Sequence, residues 1–170
     1  MPHPEFPTWL HALSIVSLAI AGACAAVVAL DEIRRPQPMW IMNLVWPLSA
    51  LFAGLPWLWF YGRWGRGPGR RDAPMAVAVA KGTSHCGAGC ALGDLVAEWL
   101  VFAFPAIAVA FGWKTIFPEK TFAAWALDFL LAFALGVGFQ YFTIAPMRHL
   151  SVGQGLWAAI KADTLPLTAW

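Results

Sequence analysis

Four apolar runs alternate with short polar loops along the chain. A helix needs about 20 apolar residues to cross the roughly 30 Å hydrocarbon core of a bilayer, and each run is long enough to do so. The runs cover residues 9–30, 39–61, 86–111 and 122–146. The pattern therefore predicts an all-α fold, a polytopic membrane helix bundle with four transmembrane helices.

The remaining segment, residues 147–170, is not apolar enough to form a convincing fifth span. Between residues 151 and 162, helical spacing places Trp157 and Ile160 on one side and Lys161 on another. We therefore expect a C-terminal interfacial helix or a partial fifth helix.

Composition agrees with a membrane location. Hydrophobic residues make up 60% of the 170-residue chain and charged residues 12%, and the mean hydropathy is +0.64. Eleven tryptophans gather near the ends of the apolar runs, where amphipathic rings favour the membrane interface. The length suits one membrane domain over residues 1–170. A net charge of +2 with no basic face argues against a nucleic-acid partner.

The distribution of Lys and Arg predicts the orientation of the bundle. If the N-terminus is cytoplasmic, the eleven cations divide into seven on the inside and four on the outside. Inside loops are normally the richer ones, so this arrangement is favoured. The seven inside cations are Arg63, Arg66, Arg70, Arg71, Lys81, Arg148 and Lys161.

The third apolar run begins with an unusual set of polar groups, in the stretch KGTSHCGAGCALGDLVAEW. Two cysteines, an aspartate and a glutamate recur there at intervals of four. Such a spacing drifts by only about 40° per step around a helix, so the four side chains share one broad face. Thiolates and imidazole suit soft or borderline ions such as copper, zinc or iron, and ionisable groups at membrane depth indicate function. The predicted metal ligands are His85, Cys86, Cys90, Asp94, Glu98 and, from beyond the fourth run, His149.

Other polar groups carry simpler interpretations. Cys24 stands alone among alanines and reads as a small packing residue. Asp128 fits a partner of a cation or of protonated Glu98, or a solvated position near the outer interface. Asp163, together with Lys161, is a weaker ligand candidate than His149 and could instead form a surface pair with Lys161.

Two segments together resemble a bacterial family of small polytopic membrane proteins of unknown function. They are GTSHCGAGCALGDLVAEW and MRHLSVGQGLWAAIKADTLPLTAW, and the likeness spans about residues 75–170. It carries a His-Cys-Gly-Ala-Gly-Cys-x-Leu-Gly-Asp motif and implies a multi-pass protein of the bacterial inner membrane, with a further apolar span after residue 170. The resemblance brings no activity. The motif positions it marks are His85, Cys86, Cys90, Asp94, Glu98, His149, Lys161 and Asp163.

The leading functional prediction is a transition-metal binding or transport protein that takes copper, zinc or iron as its bound ion. A bundle of four or five helices encloses little space, so we expect a homo-oligomer in the lipid bilayer. A metal donor or a larger membrane complex could be a further partner.

Two alternatives come from different classes. A membrane thiol-disulfide oxidoreductase would cycle Cys86 and Cys90, whose thiol pKa a helix N-terminus and His85 would lower. The three-residue gap and the surplus carboxylates favour a protein that is not an enzyme. The third possibility is an accessory subunit whose glycine-rich face docks a partner within a larger membrane complex.

Overall fold

A computed structural model describes residues 7–66 and 73–168, with the side chains of the last helix described as far as residue 164. The described chain is helical and contains no β-strand, which confirms the all-α prediction. Arg70 and Arg71, two of the predicted inside cations, lie outside the described residues. The helices are α1 (Thr8–Arg34), α2 (Met42–Phe60), α3 (Met75–Ala103), α4 (Pro105–Ala110), α5 (Lys120–Met147) and α6 (Val152–Thr168), and a π-helical turn, Tyr61–Gly65, continues α2.

Four helices of the described chain are long and apolar enough to cross a membrane: Thr8–Arg34, Met42–Gly65, Met75–Ala103 and Lys120–Met147. By length and composition the protein is therefore suited to be a multi-pass membrane protein. The predicted spans match three of these helices closely. The third differs at both ends, because α3 begins at Met75 instead of Cys86 and stops at Ala103.

The early end of α3 has a local cause. Pro105 cannot donate a backbone hydrogen bond, and its ring crowds the preceding turn, so a helix tends to stop before it. Phe104 leaves the helical conformation, and Pro105 then starts the short helix α4 at a position where proline is favoured. The predicted span 86–111 is therefore divided between two helices at Pro105.

Backbone packing divides the chain into two compact units, Met1–Val77 and Ala78–Trp170. In the first unit α1 packs along α2, with Val28, Val45 and Trp46 fully buried. Near the end of α1, the Tyr61 hydroxyl donates a hydrogen bond of 2.8 Å to Asp31. The expectation of one membrane domain over 1–170 stays a prediction.

The second unit is built on close contact between α3 and α5. A Cβ on Gly89 would lie 2.8 Å from the Cα of Gly136, and a Cβ on Gly93 would collide with the backbone of Ala132. The residue number rises from Gly89 to Gly93 along α3 while that of the contacted residue falls from Gly136 to Ala132 along α5, so the two helices are antiparallel. Small residues permit this approach in membranes, where close packing between helices takes over much of the role of the hydrophobic effect.

Helix α6 lies against α5 through another row of small residues. Gly155 approaches Ala145 and Tyr141 closely, and Ala159 and Asp163 are fully buried. The predicted tail helix is therefore present, but it is longer than the segment 151–162. Asp163 does not form the surface pair expected with Lys161, because its side chain is 0% exposed.

Candidate metal centre

Two thiols lie side by side on α3. Cys86 and Cys90 are separated by one helical turn, and their Sγ atoms are 3.8 Å apart. Both are free cysteines, Cys86 buried and Cys90 partly buried. A disulfide between residues four apart on a helix would need local unwinding. The helix is regular through the surrounding glycines, Gly82, Gly87, Gly89 and Gly93, so such unwinding is not present.

The third member of the group comes from α6. One carboxylate oxygen of Asp163 and the two sulfurs of Cys86 and Cys90 all lie within 4.8 Å of one another. Neither oxygen of Asp163 has hydrogen-bond geometry to any described residue, although the Cys86 thiol lies close enough to interact with the carboxylate. Burial raises the pKa of the Asp163 carboxyl, and the nearby Cys86 thiol opposes the rise. Burying an ionised carboxylate is costly unless the group is protonated or binds a cation.

A glycine of α5 makes room for the Asp163 carboxylate. A Cβ on Gly136 would lie 2.9 Å from Oδ1 and 3.0 Å from Cγ of Asp163, and closer still to Oδ2. Gly89 of α3 packs on the same Gly136. The absence of side chains at these two positions brings α3, α5 and α6 close enough for residues of two of them to share one site.

A cavity of about 1000 Å³ adjoins the thiols. Cys86 and Cys90 line part of it, together with Asp94 and Glu98 from the same face of α3. The predicted alignment of these four side chains is therefore present. Asp128 of α5 lines the cavity as well, and its Oδ1 atom is buried without a hydrogen-bond partner among the described residues.

The two predicted histidines do not belong to the thiol group. His85 is 5% exposed; its Nδ1 lies 3.3 Å from the Gly82 carbonyl oxygen, and its Nε2 has no partner among the described residues. His149 is exposed in the turn between α5 and α6, with a positive φ of 51°. Among the described residues, the group that could hold a metal ion consists of Cys86, Cys90 and Asp163.

Asp163, which the sequence ranked below His149 as a ligand candidate, is the third member of the group, and the surface-pair alternative for it is wrong. Side chains two apart on a helix point in different directions, so Lys161 and Asp163 cannot share a face. Lys161 instead lies over the ring of Trp157, with Nζ 5.0 Å from its centroid. The sequence feature that could have revealed the buried position of Asp163 is the spacing of Gly155, Ala159 and Asp163 at intervals of four. This spacing places two small residues and the acid on one face of the helix.

The start of α3 at Met75, before the predicted start at Cys86, also affects how the thiols could be activated. Because the helix begins at Met75, Cys86 lies well inside it and not at its N-terminus. The positive end of a helix dipole acts only within about the first turn. The mechanism by which a helix N-terminus would activate the thiols is therefore missing.

The comparison with protein families gives a match to the domain of unknown function DUF4396 over residues 77–170. This match covers more than half of the chain. The chain belongs to the DUF4396 family. No curated protein and no solved structure gives a match.

The DUF4396 match coincides with the second compact unit and contains the thiols, Asp163 and the cavity. The expected membership of a family of unknown function is thus confirmed. The match does not single out the His-Cys-Gly-Ala-Gly-Cys motif, which stays a prediction. Family membership brings no activity, so function has to be argued from the site.

Proposed function

We propose that the DUF4396 unit binds a transition-metal ion at Cys86, Cys90 and Asp163, within a membrane protein that stores or transports it. One observation carries the proposal. Two thiols and a fully buried carboxylate without a partner converge from α3 and α6, which are far apart in sequence. A cation between them would supply the interaction that Asp163 lacks.

The spacing of the sulfurs suits such an ion. Two thiolates bound at about 2.3 Å in a tetrahedral arrangement lie roughly 3.8 Å apart. The Sγ atoms of Cys86 and Cys90 are 3.8 Å apart before any adjustment. A site with two thiolates at this spacing and one carboxylate favours zinc, or iron(II) in the same tetrahedral geometry. Copper(I) is less favoured, because it prefers softer donors than a carboxylate.

Three protein ligands leave one coordination position open, which suits an ion that has to be exchanged. His85 follows Gly82 on α3 and keeps Nε2 unpartnered, so it is the candidate for a fourth ligand after a side-chain rotation. Asp94 and Glu98 continue along the cavity from the thiols and would relay the ion, or a compensating proton, to or from the site. The geometry offers no such support for His149. The cytoplasmic N-terminus, the inner membrane and a homo-oligomer remain parts of the proposal.

The direct test is the metal content of the purified protein. Wild type should hold about one zinc or iron per chain after loading and desalting, whereas Cys86→Ser/Cys90→Ser and Asp163→Asn should hold much less. Cys24→Ser is the matched control, because it removes a buried thiol outside the group and should load normally. Equal, substoichiometric metal in wild type and the double-serine variant would overturn the proposal.

The proximity of the two thiols also supports the oxidoreductase alternative, and one measurement separates the two functions. After chelation under air, a metal site should leave both thiols open to alkylation, whereas a redox pair should be protected until a reductant is added. Thiol ligands bind metal only when deprotonated, so the metal site should also lose affinity in acid. Stoichiometric co-purification of another protein, unaffected by the double-serine variant, would instead support the accessory subunit.

A further inference from the structure

The cavity next to the thiols is much larger than a bound ion requires. Its volume is about 1000 Å³. A divalent cation with six waters, at about 30 Å³ for each water, needs roughly 180 Å³. The cavity therefore has room for an ion that still keeps its hydration shell, whereas the ligand atoms of Cys86, Cys90 and Asp163, within 4.8 Å of one another, would contact an ion directly.

The far part of this cavity is acidic and draws on two helices. Asp94 and Glu98 come from α3, one and two turns beyond Cys90. The antiparallel contacts of Gly89 with Gly136 and of Gly93 with Ala132 bring Asp128 of α5 to the level of these acids. All three carboxylates line the same cavity.

Nothing positive on the cavity wall balances these acids, since none of the described lining residues is Lys or Arg. Asp163 is a further acid, fully buried and without a hydrogen bond to any described residue. It lies within 4.8 Å of the sulfurs of Cys86 and Cys90, which line the near part of the cavity. Low-dielectric walls lined by one sign of charge raise the local concentration of ions of the opposite sign. A hydrated divalent cation can also replace some of its bound waters with carboxylate oxygens.

We infer that Asp128, with Asp94 and Glu98, forms an acidic vestibule that receives a hydrated divalent cation and passes it to the thiol group. The inference rests on the proposed function. It adds that the ion arrives as a hydrated divalent cation and that Asp128 of α5 takes part in its entry. In this arrangement Asp128 controls how fast the site fills, while Cys86 and Cys90 control how tightly the ion is held.

The test follows the loading of the full chain in detergent with cobalt(II) alone, by stopped-flow absorbance of the cobalt–thiolate band. Asp128→Asn should keep the final spectrum and the stoichiometry but load about three- to tenfold more slowly, with a weaker dependence on salt. Asp128→Glu keeps the charge and should recover most of the rate. Glu119→Gln removes an exposed carboxylate at the start of α5 and should load like wild type.

The possible failures are distinguishable. If wild type develops no thiolate band, the proposed function itself fails. If the band forms and Asp128→Asn loads at the wild-type rate, the metal site stands and the vestibule is refuted. Loss of the band in Asp128→Asn, with the folded state retained, would make Asp128 a ligand of the thiol site, which also overturns this role.

Discussion

The contact between Gly136 and Asp163 allows a sharp test of how the site is assembled. The substitution Gly136→Ala adds one methyl group at the point where α5 supports the Asp163 carboxylate. That Cβ would lie 2.9 Å from Oδ1 of Asp163, whereas ordinary contact begins at 3.4 Å. The carboxylate therefore has to move by at least about 0.5 Å, or α6 has to move away from α5.

Both responses have a cost of known size. Overpacking a close contact costs about 1–3 kcal/mol, while replacing glycine by alanine inside a helix gains about 0.5–1 kcal/mol. We expect the metal-free variant to be destabilised by up to about 2 kcal/mol. Displacing one of three ligands should weaken metal affinity at least about tenfold, which corresponds to roughly 1.4 kcal/mol.

The assay compares Gly136→Ala with Gly138→Ala by zinc competition against a chromogenic chelator and by thermal unfolding in detergent. Gly138 is in the same helix, and a Cβ there meets nothing within 4 Å. The control should therefore bind zinc like wild type and unfold at the same or a higher temperature. Equal affinity and equal stability in the two variants would refute the argument that Gly136 positions Asp163.

Three other predictions address packing, pH and the first unit. Gly93→Ala should destabilise the α3–α5 contact by about 1–3 kcal/mol, whereas Gly87→Ala, which faces open space, should not; equal melting temperatures would contradict this. Burial raises the pKa of Asp163 above its ordinary value of 3.8, so the native state binds more protons than the unfolded state. The contribution of this carboxyl group to the free energy of unfolding therefore falls as pH rises from about 4 through the raised pKa. With chelator present, Asp163→Asn should therefore gain stability over wild type toward neutral pH and lose that advantage in acid, as followed by thermal unfolding; a pH-independent difference would count against it. Tyr61→Phe removes the 2.8 Å hydrogen bond to Asp31 and should cost about 0.5–1.5 kcal/mol in denaturant unfolding, and no change would show that the bond is not stabilising.

The helical class and the row of ligands on α3 followed from the sequence because they depend on local periodicity. Apolar runs of sufficient length predict spans, and a four-residue interval predicts a shared face whatever the helix packs against. Cys86, Cys90, Asp94 and Glu98 accordingly line one cavity. The start of α3 was harder to predict, because Gly82, Thr83 and Ser84 are weak helix formers.

The identity of the third ligand depended on the tertiary structure. Asp163 reaches the thiols only because Gly136 and Gly155 let α6 lie close to α5, and because Gly89 and Gly93 bring α3 to the other side of the same helix. No local pattern gives the register between helices that are distant in sequence. Local periodicity is enough to predict which groups line one face of α3. Which acid meets them depends on how the glycine faces pack, since contacts between helices depend on the shape of both surfaces.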